Sequence, residues 1–168
     1  MADRKLFVTV GTTKFNSLIR EVTTNDALKT LAKLGFSDIL LQIGRGEYEP
    51  SNVNDASDIP HVSYYRLKDS ISDDIAQADL VISHAGAGSI IDSLSAGKSV
   101  LVVVNDELMD NHQTELAEKL AAEGHLHYCG VRSLVPSLKS LDFKVLKPFL
   151  PGEPEKFADH LDQIMGFW

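Results

Sequence analysis

The chain has 168 residues, 43% of them hydrophobic, enough for a full core in one domain without covalent staples. Its 24 acidic residues against 16 Lys and Arg leave a net charge of −8, and with no basic cluster this argues against nucleic acid as the partner. One cysteine, Cys129, excludes an internal disulfide framework and fits a reducing compartment, while no apolar run approaches the roughly 20 residues that cross a bilayer.

In chain order, Met1-Ala-Asp-Arg-Lys5 runs into a strand over residues 6–10 without a long apolar signal region. Leu18, Ile19 and Val22, then Leu28, Leu31 and Leu34, recur at helical spacing, with Gly35 as the cap of the second helix. A second strand over 39–43 leads to residues 44–60, which hold two prolines and four acidic residues and read as a surface loop. A third strand over 62–65 precedes a short helix over 70–78, whose Asp73 and Asp74 sit near its positive end. Strands follow over 80–83 and 100–104, with a helix beginning near Ile90 between them. Residues 111–122 form the strongest helical pattern, closed by Gly124, and a weaker sixth strand lies near 126–129. Residues 147–154 carry three prolines and tether a last helix over 155–168. Strands alternating with helices predict an α/β fold: a doubly wound, mostly parallel, Rossmann-like sheet over 1–150, with ligands beyond the strand C-termini. Residues 151–168 are an appended helix.

The most informative stretch is Ser83-His-Ala-Gly-Ala-Gly-Ser-Ile-Ile-Asp92, between an apolar strand and a helix. A small-residue turn there leaves backbone N–H groups bare at a helix N-terminus, a ready anion site. His84 and Ser89 add side-chain donors, and Asp92, one turn beyond Ser89, can accept from ribose hydroxyls. Three polar loops would meet at this sheet edge: Gly11-Thr12-Thr13, the 84–92 turn, and residues 105–113 ending Asp110-Asn111-His112-Gln113. Each also has a plainer reading. Glycines at 86 and 88 can serve close helix–strand contact, and Asn111 can be a helix N-cap. The joint placement favours a nucleoside diphosphate.

The spacing His84-x-Gly86-x-x-Ser89-x-x-Asp92, with Asn111-His112-Gln113 beyond it, resembles the signature box of nucleotide-sugar transferases. The likeness is to the donor-binding half of GT-B glycosyltransferases, specifically the family-28 C-terminal domain. Phe7-Val-Thr-Val-Gly-Thr-Thr13, Leu41-Gln-Ile-Gly-Arg-Gly46 and Pro151-Gly-Glu-Pro-Glu-Lys-Phe157 narrow it further. They are similar to the small cytosolic subunits of the endoplasmic-reticulum transferase that adds the second N-acetylglucosamine to the dolichol-linked N-glycan precursor. This resemblance implies UDP-N-acetylglucosamine (UDP-GlcNAc) as donor and dolichol-diphosphate-GlcNAc as acceptor. It implies that Gly11, Thr12, Thr13, Gly86, Ala87 and Gly88 surround the donor while His84 and Ser89 face the diphosphate. Asp92, where related boxes often carry Glu, would hold the ribose; His112 and Gln113 the sugar; and Lys68, in Leu67-Lys68-Asp69, would lie beside the uracil.

The chain has no Asp-x-Asp and no His/Cys constellation, so no metal and no cofactor are expected. Charge on the departing diphosphate would then be met by oriented N–H groups and a helix dipole. Inversion needs a base on the acceptor hydroxyl, and no residue is assigned to it; the resemblance puts it in an acceptor-side half for which 168 residues leave no room. The partner implied is a membrane-anchored, acceptor-binding subunit in a heterodimer, contacting the lipid-linked acceptor and recruiting this chain from the cytosol to the cytosolic face of the endoplasmic reticulum. Phe157, Leu161, Ile164, Met165 and Trp168 give the last helix an apolar face for the domain, the partner or both. The alternative is a non-catalytic module that binds a nucleotide sugar or nucleotide.

Overall fold

The computed structural model describes residues 3–50, 58–105, 111–140 and 142–147, with residues 111–114 by backbone alone. Six strands form one sheet: β1 (Arg4–Thr9), β2 (Phe36–Gln42), β3 (His61–Tyr65), β4 (Leu80–His84), β5 (Ser99–Val104) and β6 (His127–Gly130). Their order is β3-β2-β1-β4-β5-β6, and every neighbouring pair is parallel. All six expected strands are present. The order reverses between β1 and β4, so the crevice beyond their C-terminal ends is the switch point where doubly wound sheets take ligands.

The alternation of side chains along each strand builds two cores. Leu6, Val8 and Val10 face one side with Ile39, Leu41, Leu80, Ile82, Leu101 and Val103. Against them lie α1 (Asn16–Val22), through Leu18, Ile19 and Val22, and α2 (Asn25–Lys33), through Leu28 and Leu31. Phe7, Val81, Val100 and Val102 face the other side under α3 (Ser72–Gln77), α4 (Ala87–Ser95) and α5 (Asn111–Ala122), which contribute Ile75, Ile90, Leu94, Leu116 and Leu120. Helices on both faces explain why the strands read as near-continuous apolar runs. The expected caps hold: Gly35 and Gly124 take positive φ, 94° and 82°.

Two expectations need correction. Helix α4 begins at Ala87 and not near Ile90, so Ala87, Gly88 and Ser89 form its first turn. A sixth helix, α6 (Leu134–Ser140), lies where no helix was predicted and adds Leu134 and Leu138 to the first core. Pro136 hid it, because a proline in a short apolar run reads as a breaker. It stands in the helix's first turn, where no N–H is needed. The expected tail helix over 155–168 lies outside the described residues.

Candidate functional site

The turn after β1 is shaped from beneath. Gly11 takes φ 65°, a conformation costly for other residues. Its N–H donates to Thr9 Oγ1 (3.0 Å), and Thr13 Oγ1 closes the turn on the Val10 carbonyl (2.9 Å). The Thr13 carbonyl accepts from Arg45 N (2.9 Å), and Gly44 N donates to the Arg66 carbonyl (3.0 Å). Arg66 then binds the Gly46 carbonyl and the Glu49 carboxylate, each at 2.6 Å, so the chain leaving β3 braces the chain leaving β2.

Across the switch point, the His84 ring fits between two glycines. A Cβ at Gly11 would stand 2.7 Å from His84 Nε2, and one at Gly86 would overlap the ring. Gly86 therefore makes room for the imidazole. Gly88 differs: a Cβ there would meet nothing within 4 Å, so its missing side chain leaves space above the helix. Removal from water pushes the His84 pKa down from 6.5 to about 4, so the ring is neutral at pH 7.

Helix α4 ends at this point with its donors bare. Its N-cap, Gly86, offers no side-chain hydrogen bond, and the first turn holds no acidic residue. Four N–H groups of a helix start have no intrahelical partner, and here neither capping nor a carboxylate meets them. An anion is the natural complement.

The facing wall is residues 68–72. Lys68 Nζ pairs with Asp74 Oδ2 at 3.2 Å and sits 4.3 Å from the Tyr65 ring centroid, while Tyr65 OH donates to Asp74 Oδ2 at 2.6 Å. Burial and then Asp74 hold the Tyr65 phenol well above its ordinary pKa, so it stays a donor and pins the wall to α3.

Between these parts lies an open cleft of about 410 Å³, within the range of small-molecule sites. It brings together Gly11, Thr12, Thr13, Lys68, His84, Gly86, Gly88, Ser89 and Asp92, nine of the expected residues from three separate segments. Ala87 is half-buried and packs on the second core, leaving its N–H as its contribution. Asn111, His112 and Gln113 open α5 after β5, at the same sheet edge; their side chains lie outside the described residues. So do Phe157, Leu161, Ile164, Met165 and Trp168. Depressions of about 260 and 670 Å³ lie toward the N-terminal ends of the strands, away from any bare helix start.

Five lining residues were not among those expected: Asp69, Ser70, Ile71 and Ser72 continue the wall from Lys68, and Gln42 comes from a segment of its own. Gln42 stands at the end of β2 with its side chain buried at the cleft floor. It is in register with Thr9, which is in register with Ser83, and all three are buried. The signal was available: polar residues close adjacent strands at positions where Leu40, Phe7 and Val81 mark an apolar face.

Asp92 is exposed at the cleft rim, one turn beyond Ser89. Asp92→Ala should weaken nucleotide binding by about 1–3 kcal/mol, the worth of a hydrogen bond to a charged acceptor. Calorimetric titration of both forms with UDP checks it, and equal affinities would remove Asp92 from the site.

A parallel sheet with a bare helix start and a nucleotide-sized cleft at its switch point defines a doubly wound nucleotide-binding domain. Residues 5–164 match the glycosyltransferase family 28 C-terminal domain, and the chain belongs to that family. It is 51% identical over 131 residues to the mouse UDP-N-acetylglucosamine transferase subunit ALG13, covering 78% of this chain but only 11% of that relative. The Yarrowia lipolytica protein of the same name is 39% identical over 136 residues, covering 81% of this chain and 69% of the relative. Among solved structures, the NMR solution structure of ALG13 superimposes with a TM-score of 0.70 at 29% identity, covering 95% of this chain and 96% of that one. Acinetobacter baumannii MurG follows with a TM-score of 0.65 at 19% identity, over 99% of this chain and 46% of that one, a likeness of fold alone.

Proposed function

We propose that the chain is the donor-binding subunit of a split inverting glycosyltransferase that moves N-acetylglucosamine from UDP-GlcNAc to dolichol-diphosphate-GlcNAc. The observation that carries this reading is the uncapped start of α4 opening on the cleft, ringed by His84, Ser89 and Asp92. In this reading the diphosphate lies on the N–H groups of Ala87, Gly88 and Ser89, where the helix dipole meets the charge that grows as the sugar leaves. Neutral His84 donates one N–H to a phosphate oxygen, Asp92 accepts from the ribose, and His112 and Gln113 hold the sugar. The names of the mouse and yeast relatives supply the sugar nucleotide.

The acceptor side belongs to a second subunit, anchored in the membrane, which supplies the base. No helix among the described residues is long and apolar enough to cross a membrane. We assign the tail face of Phe157, Leu161, Ile164, Met165 and Trp168 to that contact, on the cytosolic face of the endoplasmic reticulum.

Two measurements test this. Amide shifts on adding UDP-GlcNAc without divalent ions should fall on residues 11–13, 68–72 and 84–92; shifts confined to the opposite strand ends, or dependent on metal, would sink the site. Transfer to a lipid-linked N-acetylglucosamine acceptor should require partner-containing membranes and vanish on deleting residues 157–168. Full activity of the purified chain alone would refute the split.

A further inference from the structure

Gln42 is 3% exposed and lines the cleft floor. Its surroundings fix which end of the carboxamide faces the ligand. The Gly11 N–H donates to Thr9 Oγ1, and the Thr9 hydroxyl donates its single proton to Gln42 Oε1. Turning the amide over would leave that buried hydroxyl proton without an acceptor, so this chain of donors sets the orientation. The Gln42 NH2 group is left as a donor, and no described residue accepts from it. Buried donors are ordinarily paired. One left open at the floor of a ligand cleft is a group for the ligand to satisfy.

Strand order decides which part of the ligand that is. The bare start of α4 follows β4, and two inter-strand spacings, about 10 Å, separate β4 from β2. Gln42 is instead in register with Tyr65, the last residue of β3, from which the wall 68–72 springs. It lies under the end of the cleft away from the diphosphate.

We propose that Gln42 is a specificity-determining residue that reads the nucleotide base, its Nε2–H donating to the carbonyl oxygen at position 4 of a uracil ring. The proposal rests on the nucleotide-sugar reading above. A uracil offers a carbonyl at each exocyclic position, whereas cytosine replaces one with an amino group that can only donate. A fixed amide donor therefore separates the two.

The test uses the full chain titrated with UDP, CDP and inorganic pyrophosphate, followed by amide shifts. Gln42→Met removes the donor at similar volume. Gln42→Glu keeps an acceptor for Thr9, guarding against loss of the Gly11 turn. The wild type should prefer UDP to CDP. Gln42→Met should weaken UDP by about tenfold, the worth of one buried hydrogen bond, with pyrophosphate unchanged. Gln42→Glu should collapse or invert the UDP-to-CDP preference, because its carboxylate accepts from the cytosine amino group. Equal losses for UDP, CDP and pyrophosphate in Gln42→Met, or an unchanged UDP-to-CDP ratio in both variants, would overturn the assignment while leaving the donor site standing. A wild-type chain that binds no UDP would bring down the donor site and this inference together.

Discussion

Gly88→Val should weaken UDP-GlcNAc binding by about a hundredfold and leave the fold intact. The two halves of that expectation have separate causes. Within the protein, the new side chain meets nothing: no atom lies within 4 Å of a Cβ at this position, and the backbone is ordinary helix. Replacing glycine in a helix brings a slight gain in propensity. For the ligand, the same space is where a phosphate must approach the bare N–H groups of the first turn. An isopropyl group there both occupies that space and screens the donors, a loss of roughly 3 kcal/mol or about a hundredfold in affinity. Gly88→Ala, with one methyl group, should fall between. Titration by amide shifts, beside thermal melts of the same samples, reads both halves. A folded Gly88→Val protein that binds UDP-GlcNAc as the wild type does would move the diphosphate off α4.

The contrast with Gly86 shows how far the sequence alone could go. Both glycines stand in one small-residue turn, and from the sequence both suit close approach of a phosphate. The structure gives them different work: Gly86 admits the His84 ring, while Gly88 opens on the cleft. That distinction depends on where a ring from β4 lies in three dimensions, and no spacing rule encodes it. The central strands β1, β4 and β5 were legible because each is a short apolar run flanked by turn residues and buried on both faces, whereas the edge strands β3 and β6 bury only Val62 and Cys129 and read more weakly. Helix α5 was legible through its spacing and its closing Gly124. Helix α6 was not, since seven residues with Pro136 inside give too little periodicity to outweigh a breaker. Gln42 escaped for a related reason. Inside the strand expected over 39–43, one polar residue between Leu41 and Ile43 carries by itself no sign of a ligand, and its partnership with Thr9 appears only once β1 and β2 lie side by side in register.

His84 supplies the other large effect, a loss of stability in mild acid. In the unfolded chain its pKa is near 6.5; in the folded chain, removal from water between Gly11 and Gly86 lowers it to about 4. Above pH 6.5 the ring is neutral in both states and contributes no pH dependence. As the pH falls below 6.5 the unfolded chain takes up a proton that the folded chain refuses. The equilibrium then moves toward unfolding, by about 1.4 kcal/mol for each pH unit, until the folded ring also protonates near pH 4. Across that window this one group removes roughly 3 kcal/mol, a large part of the stability of an ordinary domain. Carboxylates titrate in the lower part of the same range, so the contribution is read as a difference between two proteins. Urea unfolding of the wild type and of His84→Gln, from pH 7 to 4.5, should show the wild type losing the greater stability, with most of the excess below pH 6. A bound diphosphate acts in the opposite sense, because negative charge beside the imidazole favours its protonated form. Saturating UDP-GlcNAc, whose diphosphate diester does not titrate in this window, should therefore shrink the excess loss in the wild type and leave His84→Gln unaffected. Parallel stability curves for the two proteins without ligand would show that the ring is not held neutral. An excess loss in the wild type that persists unchanged at saturating ligand would place the diphosphate away from His84.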